Sequence, residues 1–548
     1  MENEFANSIS GKRKIILVLK MKLGSVINHI FGILFYLVFL VYFGSSIASL
    51  IIRFDEIKTV GLVLNLIVLF AELIGPIYAT YFTVQLIDGL IGIRRVNYDI
   101  NKVTNHPKVD VIVPIHNVNP KMLNETLQGC SKMDYPNYEV WIGDDHSNPK
   151  YADSCKKLAE KYGANYYFGE ERSFKAGVVN RVLEQSDAKY VFLLDADHIP
   201  VNGILDDFVA ILEQHPEYAF VQAQYKYRNI TNLLNVWDIM SSCQIFCAQG
   251  GKMFSKSVLF YGTSACFRKE RLYPLPEDKL SEDFDHTMTL AAQGYHGYWL
   301  NKVASSGLIV ESFEHKMSQQ FRWSIGQIGA VKDHFKDFFK SRMKPRQGLD
   351  YFMVSTFVFL LTAFYFIAIF YIVIYFLDIP VPRAFGLDHL SFIIMPLVIG
   401  IVYTGTFFSV AIYCHKNDIF KFKIWHVPFF MLFGGLIAPF LIIPSIMGLN
   451  GSNKIKGKKT VWNRKVRLVL IGTIYSIIGL VFAGLTVITF LDMINVVPWI
   501  DFYSETQYFF QIFLSVAFML GCALPFVLIS KRIFRKPEYY LDEENIYY

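Results

Sequence analysis

Three acidic clusters could do chemistry: Asp144-Asp145, Asp195-x-Asp197 and Glu282-Asp283. The first two follow the apolar runs YEVWIG and YVFLL, which read as strands. A strand ending in D-x-D delivers two carboxylates to the crevice at the carboxyl edge of a sheet, where ligands of open α/β sheets bind. Hard oxygen donors of this kind suit Mg²⁺ or Mn²⁺ carrying a diphosphate. The same D-x-D on a solvated turn would carry no function, so its place after a strand is what gives it weight.

The elements that must position these groups are legible. VDVIVPI (109–115), YEVWIGDD (138–145) and KYVFLLDAD (189–197) are rich in β-branched or aromatic residues and are separated by polar, helix-like segments. Strand–helix–strand repetition predicts an open, doubly wound sheet. Asn119-Pro120 predicts the cap of a helix between the first two strands.

Around this block the composition changes. Hydrophobic residues make up 53% of the chain and charged ones 18%, against roughly 25% charged in soluble domains, so lipid-facing surface is expected. Apolar stretches near 28–52 and 59–86 precede the globular block, and others near 351–377, 389–413, 424–447, 467–491 and 508–530 follow it. Each is long enough to span a bilayer core. The basic start (GKRKIILVLKMK) has no A-x-A cleavage site, which predicts a retained anchor with a cytoplasmic N-terminus. Two crossings then return the chain to the cytoplasm. Basic flanks on both sides of 424–447, with Pro428, Pro439, Pro444 and Gly434-Gly435 inside it, predict an interfacial or re-entrant segment. The basic run KRIFRK (531–536) closes the topology inside, giving six full crossings. The seven scattered cysteines form no disulfide framework and no zinc pattern.

VDVIVPIHN, IGDDHS, SFKAGVVN, LLDADHIP, FYGTSACFR, SEDFDHT and QQFRW occur in this order. Together they resemble the family 2 glycosyltransferases, in particular the processive membrane branch of cellulose, curdlan, chitin and hyaluronan synthases. The resemblance implies a GT-A type α/β cytoplasmic domain, with a mixed and mainly parallel sheet, inserted in an α-helical transmembrane bundle. It divides the chain into 1–92 (two membrane helices), 93–350 (catalytic domain ending in amphipathic interface helices), 351–536 (membrane region) and 537–548 (acidic tail). The activity implied is inverting polymerisation of a β-linked polysaccharide from a UDP-sugar, with translocation. DADHIP and SFKAG tilt the donor toward UDP-glucose. Hyaluronan-, chitin- or mannan-type products, or a short glycolipid, are the alternatives. A transporter merely regulated by its domain would not need all these carboxylates.

The resemblance also implies roles. Asp145, with Asp144, holds the uridine or caps a turn; Lys175 contacts the nucleotide, with Gly177 admitting close backbone approach. Asp195 and Asp197 hold the metal, and His198 either joins them at the diphosphate or packs at the strand end. Thr263 lies in the acceptor-facing segment. A carboxylate near the attacking hydroxyl is needed as general base; Asp283 is that residue, with Glu282 beside it and Asp285 two residues on as the alternative. Gln319, Arg322 and Trp323 open a helix expected to run to about Phe339, Arg322 gripping the pyrophosphate and Trp323 stacking on the acceptor sugar. The basic loop 451–467 anchors against anionic lipid or gates the site through Trp462 and Arg464. Implied partners are the UDP-sugar, the growing polysaccharide, the bilayer and an accessory export protein, without nucleic acid. The implied location is the plasma membrane.

Overall fold

In a computed structural model, the described residues are 11–92, 98–229, 233–310, 313–357, 379–384, 391–417 and 441–451, with single positions at 370, 374, 420, 484, 487 and 491. Most of the expected stretches 351–377, 424–447 and 467–491, all of 508–530, and the loop with Trp462 and Arg464 lie outside them.

The chain opens with two long helices, α1 (Gly11–Ile52) and α2 (Phe54–Gly92), the latter broken at Lys58, where φ is 56°. Over 23–52 and 54–92 each reaches a mean hydropathy of 2.2, and both are long and apolar enough to cross a membrane. Leu23, Phe31, Val38 and Val41 are exposed on α1, an apolar face suited to lipid rather than water.

An eight-stranded mixed sheet follows, in spatial order β3-β2-β1-β4-β7-β6-β8-β5. Strands β1 (Val109–Ile115), β2 (Tyr138–Asp144), β3 (Asn165–Phe168) and β4 (Tyr190–Leu193) are parallel. The expected doubly wound order stops there. β7 (Ala265–Arg268) inserts antiparallel between β4 and β6 (Tyr218–Tyr227), β8 (His296–Gly307) runs parallel to β6, and the two-residue β5 (Ile199–Pro200) pairs antiparallel with β8.

Helices cover both faces. α3 (Pro120–Cys130), α4 (Pro149–Tyr162) and α6 (Ile204–Gln214) bury Leu127, Cys155 and Phe208 against one. Asn119 caps α3 as its Asn-Pro pair predicts, its side chain accepting from the Lys121 N–H. α5 (Phe174–Gln185) and α7 (Leu233–Ser255) cover the other face with Leu183 and Phe246. The carboxyl end of the parallel strands is closed by α8 (Glu282–Ala292) and α9 (Phe313–Asp333). α9 ends before the expected Phe339, and a separate short helix spans Asp337–Lys340. Beyond lie α10 (Ser391–Lys416), which covers most of the expected span 389–413 and runs three residues past it, and α11 (Ile442–Leu449), which overlaps the end of the 424–447 stretch.

α7 joins the domain to the apolar pair. A methyl group on Gly89 of α2 would sit 1.7 Å from the Cys247 carbonyl oxygen, and one on Gly251 of α7 would sit 2.2 Å from that of Gln85. Only glycine allows the two backbones so close. Around this crossing Asp350 accepts hydrogen bonds from Tyr81, Gln85, Ser255 and Ser257, with the buried Lys252 ammonium 3.5 Å away. Burying the Asp350 carboxylate is tolerable because four side chains donate to it and the Lys252 charge stands beside it. Gly89→Ala is expected to lower the thermal midpoint in detergent, by an overpacking cost of about 1–3 kcal/mol or more. Gly44→Ala, inside α1 with nothing within 4 Å of the added methyl, is expected not to lower the midpoint in the same assay.

Candidate active site

The carboxyl ends of β1, β2 and β4 meet the segment before β7 and the start of α8. At the end of β2 the two aspartates separate. Asp144 is fully buried with both oxygens engaged, one accepting from the Ser147 N–H at 2.8 Å and the other from the Tyr166 hydroxyl at 2.5 Å. It caps the turn, so neither of its oxygens is left for the nucleotide contact expected of it. Asp145 accepts from the Ser173 N–H at 2.6 Å, while its Oδ2 has no hydrogen-bond partner and lies 3.8 Å from the Arg172 guanidinium. Burial raises the Asp145 carboxyl above its usual range, against the Ser173 hydrogen bond and the nearby His116 and Arg172 charges. A buried carboxylate oxygen left without a hydrogen-bond donor in the protein is suited to accept one from a ligand. Gly177 makes room for the Ser173 side chain, whose Cβ would lie 2.4 Å from a methyl added there, so here its close approach serves the loop that donates to Asp145.

Lys175 gathers the centre. Its ammonium donates to Asp195 Oδ1 at 2.5 Å and to the Gly262 carbonyl at 3.0 Å. Burial alone would lower its pKa, but the Asp195, Glu282 and Asp283 carboxylates outweigh it and raise it. Gly262 takes φ +80° and Ser264 +57° in the tight turn ahead of β7. A methyl on Gly262 would meet Asp283 Oδ2 at 3.2 Å and Lys175 Nζ at 3.4 Å, so these two groups flank it.

Thr263, expected on the acceptor side, is 4% exposed, and its hydroxyl accepts the Asp195 N–H at 3.0 Å, so this side chain is engaged with the D-x-D backbone. Asp195, Asp197 and His198 each offer a ligand atom within 4.8 Å of the others, the arrangement among the described residues that could hold a metal ion. Asp197 Oδ2 is oriented by the Leu308 N–H at 3.1 Å. His198 is buried, hydrogen-bonded through Nδ1 to Ser305 at 2.7 Å and set edge-on to Tyr225.

Asp283 sits in the first turn of α8, half-buried, with its Oδ1 accepting from the Phe284 N–H at 2.8 Å. Burial and then the Glu282 charge push its carboxyl up to about 7, against Phe284, Lys175 and Arg322. Asp285 faces elsewhere, 3.7 Å from the Lys279 ammonium and 3.6 Å from His334. The α8 geometry therefore separates the two candidate bases.

α9 carries Gln319, Arg322 and Trp323. Arg322 is close enough for its charge to act on Asp283, and Trp323 is 37% exposed. The approach of α9 to α8 depends on Gly326, where a methyl would come 2.1 Å from Ser281 Oγ. α11 packs on the same helix, Gly448 lying against the Ile325 carbonyl and Lys332 donating to the Leu449 carbonyl at 2.6 Å.

Residues 110–270 match Glycosyl transferase family 2. The chain carries a family 2 glycosyltransferase domain. It is 26% identical over 233 residues to the UDP-forming cellulose synthase catalytic subunit of Pseudomonas fluorescens, covering 40% of this chain and 31% of that protein. It is 23% identical over 281 residues to the corresponding subunit of Komagataeibacter sucrofermentans, covering 48% and 36%. Cellulose synthase 2 of Novacetimonas hansenii is 25% identical over 241 residues, 42% of this chain and 15% of that one. The chain thus spans about a third or less of the length of these relatives. The mannosyltransferase PcManGT of Pyrobaculum calidifontis, solved with GDP-Man and Mn²⁺, is 16% identical over 70% of this chain and 99% of that one. Its TM-score of 0.49 is too low to bear on site or substrate.

Two positioning residues were not readable in the sequence: Ser305, whose partner His198 is 107 residues away, and Gly326, an ordinary helical glycine until α8 is laid against it. Gly326→Ala gains about 1 kcal/mol of helix propensity but must displace Ser281. A net fall in thermal midpoint is expected, recovered largely by adding Ser281→Gly.

Proposed function

We propose that the protein is a processive, inverting glycosyltransferase that extends a β-linked polysaccharide from a UDP-sugar, UDP-glucose favoured, and passes the product across the membrane. The observation that carries this reading is Asp283: a half-buried carboxylate with a pKa pushed up to about 7, beside Lys175 and across from Arg322. A general base is most useful when its pKa lies near working pH.

In the reaction, the acceptor hydroxyl attacks the anomeric carbon of the donor as its proton passes to the Asp283 carboxylate. The bond from that carbon to the diphosphate breaks, UDP leaves with the electron pair, and an α-linked donor becomes a β-linked product. Asp145 would accept from the uracil base, Lys175 and Arg322 would steady the diphosphate, and Trp323 would stack on the acceptor. The carboxylates of Asp195 and Asp197, with His198, fit Mg²⁺ or Mn²⁺, which when bound neutralises charge on the leaving diphosphate. Lys175 would then share Asp195 with the ion.

Translocation is supported by where the site sits. The base helix α8 packs on α9, α9 packs on α11, and α7 packs on the apolar helix α2, so the transfer site is built against the elements read as membrane-embedded. Six crossings with an interfacial 424–447 segment fit this arrangement, and the packing of α11 on α9 favours the interfacial reading. A cytoplasmic domain on a multi-pass plasma-membrane protein completes the proposal.

The test is turnover of a panel of UDP- and GDP-sugars by the full chain in nanodiscs with Mn²⁺. UDP-glucose is expected to be consumed and EDTA to abolish the reaction; no turnover of any donor would overturn the enzyme reading. Asp283→Asn is expected to lower the rate on the order of a thousandfold while UDP affinity, read by calorimetry, stays within a few-fold. Because the base must be ionised, kcat/KM should climb as pH rises through 7, half-maximal near that pH, and level off about a unit above it. An ordinary carboxylate would leave kcat/KM flat from about pH 5.5 upward.

A further inference from the structure

The Q-x-x-R-W helix carries one more charged group that the reaction as written does not use. Lys316 lies on α9, with only 2% of its side chain exposed, and its ammonium is held by Asp238 of α7, whose side chain is 7% exposed. Long cations are rarely buried so completely without a reason. The same ammonium donates to Gln319 Oε1 at 3.4 Å and lies 5.8 Å from the centre of the Trp323 ring. Positions 316, 319 and 323 follow i, i+3, i+7 spacing and so share one face of the helix. One fixed ammonium therefore touches two of the motif's three side chains from behind.

The anchor is as firm as the contact. Asp238 stands on α7, which packs against the apolar helix α2 through Gly251 and the Gly89–Cys247 contact. Tyr225 and Tyr227 border the same carboxylate and also feel the charge of Asp197. The pair thus ties the start of α9 to the element on which the domain rests and to the wall of the metal-binding group.

We propose that Lys316 is a positioning residue for sugar transfer: clamped by Asp238, its ammonium fixes Gln319 and the Trp323 ring so that the acceptor chain is presented to Asp283. This rests on the glycosyltransferase reading given above. Its consequence is selective. Loss of the ammonium should damage the use of a sugar acceptor, and leave donor binding and the slow transfer to water, which need no stacking platform.

Lys316→Met alone leaves the Asp238 carboxylate buried without its counter-ion and should destabilise the fold. The informative variant is Lys316→Met with Asp238→Leu, which removes both charges. The full chain in nanodiscs is given UDP-glucose and Mn²⁺, and three quantities are read: thermal midpoint, UDP release by hydrolysis, and incorporation into product. For the double variant the midpoint is expected to return to that of the unaltered protein, hydrolysis to stay within about threefold, and incorporation to fall on the order of tenfold to a hundredfold. Recovery of incorporation together with the midpoint would make the pair a stability device only and overturn the proposal. An equal fall in hydrolysis and incorporation would also overturn it, by moving the effect to the donor site. Absence of turnover in the unaltered protein is a separate result, which removes the functional reading itself.

Discussion

One ammonium among three carboxylates governs the centre of this domain. Asp195 ends a parallel strand, and Glu282 and Asp283 begin a helix, and the fold brings all three to Lys175. Like charges so placed repel, and in a partly dry cavity the repulsion is far stronger than in water. The Lys175 ammonium offsets it, donating to Asp195 and to the Gly262 carbonyl together. Burial, and then the neighbouring Glu282 charge, still push the Asp283 carboxyl up to about 7. The residue proposed as the base is thus the one on which burial and a like charge act together.

The turn that supplies Gly262 does more than donate a carbonyl. Ser264 hydrogen-bonds back to the Leu193 carbonyl, Thr263 fixes the Asp195 N–H, and the left-handed conformations of Gly262 and Ser264 make both possible. A second set of constraints is steric. Gly89, Gly251, Gly326 and Gly448 each stand where another segment's backbone or a short side chain approaches too closely for a methyl group. These four contacts join α2 to α7, α8 to α9 and α9 to α11. One set holds the apolar helix α2 against the domain, and the other holds α8, α9 and α11 together around the candidate site.

Much of this was legible in the sequence, and the parts that were not share a cause. β1 and β4 were visible as apolar runs because strands buried on both faces need no alternation. The D-x-D and S-E-D clusters were visible because their chemistry is local. The antiparallel β7 was not, since FYGTSACFR reads as a motif and its pairing partner is set by distant chain. Side-chain direction was equally hidden: Asp144 and Asp145 are adjacent, yet one is consumed by a turn and the other keeps an oxygen without a hydrogen-bond donor. Thr263 was expected on the acceptor side on motif grounds, and its hydrogen bond to the Asp195 N–H could not be read from spacing. Cys414, remote in sequence, interacts through its sulfur with Cys243 and Cys247, a meeting that spacing along one chain could not show.

The central claim is that Asp283 drives a single in-line displacement at the anomeric carbon. The most direct measurement is the anomeric proton coupling in the NMR spectrum of the sugar unit newly added from UDP-[¹³C]glucose. A single displacement predicts the large coupling of a β-linkage throughout the product. A small coupling, marking retained α-configuration, would contradict the account, because one carboxylate base acting once cannot produce it.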